Sequence, residues 1–112
     1  MSNQEKFAAS IRDAGVSIQS AESELARCEA EEKRTFAKLQ FSAEFEQGCK
    51  TAAAQTRYAD STDDMFEARV SRGAAKGSLA AAKANLLAAE VAFKAWQSDQ
   101  ALLREEKRVY GA

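Results

Sequence analysis

The sequence has no proline and no histidine, and only five glycines, two cysteines and one tryptophan among its 112 residues. Each shortage excludes something. Without proline the chain lacks the residue that most firmly interrupts a helix, so long uninterrupted helices are permitted. Without histidine it lacks the commonest general base at neutral pH and the commonest metal ligand. Cys28 and Cys49 are 21 positions apart. On one continuous helix that is roughly 30 Å at about 1.5 Å per residue, too far for a disulfide. They read as two small apolar residues in a reducing compartment. No stretch approaches the roughly 18 apolar residues that a membrane span needs, and MSNQEKFAAS has no basic segment followed by an apolar one. A soluble, cytoplasmic protein with no membrane partner is expected.

What is present is helix-forming. There are 25 alanines, and most of the remainder is Glu, Lys, Arg, Gln and Leu. Alanine has the highest intrinsic helix propensity, and β-branched residues are few here. The net charge is −1, from 16 basic and 17 acidic residues. That balance excludes a strongly acidic DNA mimic and a polycationic condensing protein, while leaving room for a local basic face.

Along the first half, Phe7, Ile11, Ala14, Ile18, Ala21, Leu25 and Cys28 recur at alternating steps of four and three. The phase then runs through Glu32 and Thr35 to Leu39. This is a narrow heptad stripe. Near residue 40 the phase shifts to Phe41, Phe45, Gly48 and Ala52, and Gly48 is a site of fraying. The spacing predicts a first helix over about 3–57, or a break near 40 whose pieces pack into a three- or four-helix bundle. A turn follows over 58–62, with Ser61 or Thr62 as N-cap and Asp63 and Asp64 in the favourable first turn of the next helix. The acidic cluster at this turn lacks the glycine and bidentate glutamate spacing of a calcium loop.

The second helix is predicted over about 62–110, ending at Gly111. It carries two apolar rows. One is Phe66, Val70, Gly73, Gly77, Ala80, Ala84, Leu87 and Val91. The other is Leu79, Ala82, Leu86, Ala89, Phe93, Trp96 and Leu103. Folding the chain at 59–61 sets Phe45 opposite Gly73–Gly77, Phe36 opposite Ala80–Ala84, Leu25 opposite Trp96 and Ile11 opposite Val109. The first row then faces the first helix and the second row stays wet. An exposed stripe of that size calls for another helix. The expected fold is therefore all-α: one helical domain over 1–112, a long antiparallel hairpin assembling into a dimeric four-helix bundle or higher oligomer. Leu79, Leu86, Phe93, Trp96 and Leu103 are the candidate self-association residues.

Arg69, Arg72, Lys76 and Lys83 share a helix face, and residues 69–94 hold five basic side chains against one acidic. Such a row suits a phosphate backbone. It equally suits a solvated face paired with acidic residues of the first helix, with Glu44 and Glu46 opposite Lys76. The run Glu22, Glu24, Glu29, Glu31 and Glu32 reads as a solvated face, partly balanced by Lys33 and Arg34. No Gly-rich phosphate loop, nucleophile–base pair or metal-ligand spacing is found. No enzyme activity, catalytic residue, cofactor or metal is expected.

The segments Tyr58-Ala59-Asp60-Ser61, Ala88-Ala89-Glu90, Trp96 and Arg104-Glu105-Glu106-Lys107-Arg108-Val109-Tyr110-Gly111 resemble a group of small phage and prophage proteins. Asp63 and Asp64 stand where that group carries a proline. The resemblance covers about half the chain and implies a phage accessory protein encoded near recombination genes. Two roles follow as expectations. One is a non-catalytic, self-assembling protein that supports phage DNA metabolism by contacting DNA or a recombination protein. The other is an inhibitor that occupies the surface of a host defence or nuclease complex.

Overall fold

A computed structural model describes residues 2–111. The described residues form three α-helices and no strand: α1 (Asn3–Phe45), α2 (Ala52–Asp60) and α3 (Asp63–Val109). No helix among them is long and apolar enough to cross a membrane.

Local chemistry sets each boundary. The Ser2 hydroxyl accepts from the Glu5 N–H at 3.1 Å, capping the start of α1. Past Phe45 the chain reverses at Gly48, whose φ of 71° lies in the left-handed region that side chains resist. The Cys49 N–H then turns back onto the Ala43 carbonyl at 2.9 Å. Thr51 caps α2 by accepting from the Ala54 N–H at 3.1 Å. Thr62 is the cap of α3: its hydroxyl accepts from the Met65 N–H at 3.2 Å and donates to the Ala59 carbonyl at 2.8 Å. Asp63 and Asp64 occupy the first turn of α3, and Lys107 and Arg108 the last. Gly111 follows with φ 90°.

The predicted first helix is thus divided. It ends at Phe45 rather than near residue 57, and a separate helix, α2, spans Ala52–Asp60, taking in the first three residues of the turn predicted over 58–62. The break sits at Gly48, the expected site of fraying, and not near residue 40, where the stripe changes phase and α1 runs on unbroken.

The chain clusters into two compact units. One joins the residues up to Gln19 with those from Ala81 onward, and the other is Ser20–Ala80. In the Ser20–Ala80 unit, α1 turns Ala21, Leu25, Glu32, Thr35 and Leu39 partly inward and buries Cys28 and Ala43. Opposing them, α2 buries Ala59, and α3 buries Met65 and Ala75 with Ala68 and Leu79 partly covered. Met65 is the largest fully buried side chain, at 1% exposure. In the other unit, Phe7, Ile11, Ala14 and Ile18 of α1 are half-buried, with Ala82 buried and Leu86, Ala89, Phe93 and Trp96 half-buried on α3. The stripe predicted from Phe7 to Leu39 is therefore the packed face of α1.

On α3 the two rows exchange roles. The row containing Leu79, Leu86, Phe93 and Trp96, expected to stay wet, faces inward. The row expected to face α1 is exposed, with Phe66 at 67% and Val70, Leu87 and Val91 each more than half exposed. A Cβ added to Gly73 or Gly77 would meet nothing within 4 Å, so Phe45 does not pack there. Trp96 lies against Phe7 rather than Leu25, and Val109 is exposed instead of meeting Ile11. The cause is register. Residues 46–62 are spent on a break and a short helix, so α1 meets α3 well over a dozen positions away from the simple hairpin pairing, and a different α3 face is presented.

Candidate functional site

In the Ser20–Ala80 unit the predicted basic row divides. Arg72 donates to Glu32, with Nη1 2.9 Å from Oε2. Arg69 reaches Glu32 at 3.9 Å and Asp60 at 2.5 Å. Glu32 is the centre of this cluster, its side chain only 15% exposed. A carboxylate so placed needs its two guanidinium partners, because desolvating an unpaired charge is costly. Around the cluster lies an open groove of about 540 Å³, lined by Glu29, Glu32, Lys33, Phe36, Met65, Arg69 and Arg72. No hydroxyl, thiol or imidazole lines it, and its two arginines already hold carboxylates. Its chemistry is that of a helix-to-helix tie.

Lys76, on the same helix, makes no ion pair among the described residues, and neither does Lys83 in the other unit. Of the four residues expected to meet phosphate, two are engaged inside the chain. Their partners are Glu32 and Asp60, not the Glu44 and Glu46 expected opposite Lys76. Glu32 carried a signal: a charged residue inside an apolar stripe implies a countercharge on the facing helix.

Further along α1, Arg27 bridges Glu24 and Glu31, the latter at 2.6 Å. The Arg27 hydrogen bond holds the Glu24 carboxyl below its usual range. Both glutamates are exposed, so the bridge adds little to stability. Burial, reinforced by the Glu24 charge, pushes the neighbouring Cys28 thiol up. Nearer the break, the Phe41 and Phe45 rings lie tilted at 44° to each other with centroids 4.6 Å apart, both mostly exposed.

The other unit holds an aromatic cluster. Phe7 lies 5.7 Å from Phe93 and 5.6 Å from Trp96, and Phe93 stacks on Trp96 at 6.2 Å. The Trp96 indole N–H is buried and finds no acceptor among the described residues. Of the five residues predicted for self-association, Leu79, Leu86, Phe93 and Trp96 are half-buried within the chain. Leu103 is 49% exposed. Beyond Gln100 every described residue is exposed, including Leu102, Val109 and Tyr110. These residues, with Phe66, Val70, Leu87 and Val91 of the outer row, carry the exposed apolar surface of α3.

No group of three or more Cys, Asp or Glu side chains among the described residues could hold a metal ion. No protein-family model, curated protein or solved structure matches the chain.

Proposed function

We propose that this protein is a non-catalytic binding module that works by offering helix faces to other helices, in the first instance those of a second copy of itself. One observation carries the reading. The buried residues of the described chain are alanines with one cysteine and one methionine, while Phe41, Phe45, Phe66, Leu87, Leu102 and Val109 are all more than half exposed. Large apolar groups left in water on ordered helices are the usual mark of a surface that another molecule covers. The phage-type setting suggested by the resemblance gives such a module a role among the proteins of phage DNA metabolism. Occupation of a host defence complex is the same physical act with a different partner.

Light scattering and sedimentation over a wide concentration range test the reading. The expected result is a mass that rises with concentration toward a dimer or higher assembly. A mass that stays at the monomer value up to millimolar protein would overturn it.

DNA contact is a second reading, supported by the unpaired Lys76 and Lys83 but weakened by the carboxylates on Arg69 and Arg72. It predicts retention on DNA that falls with salt and is lost in Lys76→Glu and Lys83→Glu variants. Retention unchanged by both substitutions would remove the row from consideration.

A further inference from the structure

Within the unit that contains the C-terminal part of α3, residues 101–111 are exposed throughout. They still keep a pattern. Leu103, Glu106, Lys107 and Tyr110 stand three and four apart, on one helix face, and line a shallow concavity together with Gly111. This face continues the phase of Phe93, Trp96 and Gln100, which are partly covered. Glu106 and Lys107 make no ion pair among the described residues, whereas Glu105 and Arg108 on the other side hold each other at 2.5 Å.

Resting on the reading that the protein self-associates, we infer that this face is a two-fold contact in which the C-terminal turns of α3 pack antiparallel against the same turns of a second copy. The charges select that arrangement. With the two-fold axis between Glu106 and Lys107, each Glu106 meets Lys107 of the other copy, and each Leu103 meets the other Tyr110. Off the contact row, Glu105 falls level with Arg108 and Arg104 with Val109, so no like charges are level with one another. A parallel pairing would set Glu106 on Glu106 and Lys107 on Lys107. Isologous closure of this kind is the commonest symmetry of soluble assemblies, and opposite charges across a contact fix its register. Leu103, at 49% exposure, and Tyr110, at 85%, supply the apolar contact. About three turns of each helix are involved, well short of a standard interface, so the contact is reversible and weak.

The test is a charge exchange on the full chain, followed by sedimentation equilibrium. E106K alone and K107E alone each replace two attractions with two repulsions and should weaken dimerisation about tenfold. Mixed in equal amounts, the two variants present only opposite charges to each other and should recover wild-type affinity as a heterodimer. Circular dichroism should show unchanged helix content in both. Dimerisation by either variant as tight as wild type would overturn this face as the contact while leaving self-association standing. Failure of the mixture to recover would overturn the antiparallel register. A wild-type chain that remains monomeric to millimolar concentration would remove both this inference and the self-association reading.

Discussion

Thr62 serves both sides of the turn it occupies. Its hydroxyl donates to the carbonyl of Ala59 at the end of α2 and accepts from the Met65 N–H at the start of α3. Thr62→Ala should therefore cost about 1 kcal/mol, the usual loss for an N-cap, read as a lower urea midpoint with an unchanged slope. Ser61→Ala should cost less, because the Ser61 hydroxyl only donates to the Tyr58 carbonyl. Cys28 makes a prediction of a different kind. Its thiol is raised chiefly by burial, so the folded chain keeps the proton to higher pH than the unfolded chain does. Its contribution to stability is complete below the unfolded thiol range and is lost as pH climbs through the folded value. Denaturation of wild type and Cys28→Ala at neutral and alkaline pH should give curves whose difference narrows as pH rises. A difference that stays constant would refute the assigned cause. The Thr62 cap, one of two candidates beside Ser61, and the inward position of Cys28 were legible in the sequence, since each depends on local hydroxyl chemistry or on the stripe itself. Glu32 was legible only as an interruption, because its partners lie about forty positions away.

At the scale of the helices, periodicity identified the packed stripe of α1 but could not choose between the two apolar rows of α3. That choice depends on register, and register depends on how much chain the connection consumes. Gly48 was visible as a weak point, yet the left-handed turn and the recovery of α2 after Thr51 are set by backbone geometry that composition does not encode. The exposed α3 row gives a direct check. Gly73 and Gly77 sit inside a long helix with open space beside them. Gly73→Ala and Gly77→Ala should each stabilise the chain by about 0.5–1 kcal/mol, because alanine limits the unfolded chain and fits the helix. Urea unfolding of the monomer measures this. Destabilisation by either substitution would mean that another helix approaches that row closely in solution.

For the molecule as a whole, a net charge of −1 offers little electrostatic repulsion between copies. Contacts between exposed helix faces are therefore governed by local charge order rather than by the total. The all-helical class followed from composition, which acts at every residue alike, whereas the exposed apolar surface did not, because it is what remains after packing is complete. Half-buried Trp96, whose indole N–H is buried and acceptor-free among the described residues, has one last use. It is the sole tryptophan, and it lies in one compact unit while the shielded thiol of Cys28 lies in the other. Native emission should be blue-shifted and should move red as the aromatic cluster opens, while a thiol reagent, used on a Cys49→Ala variant so that only Cys28 reacts, times the opening around Cys28. The chain thus carries two natural gauges, and comparing their midpoints would reveal whether its two parts melt together or in sequence.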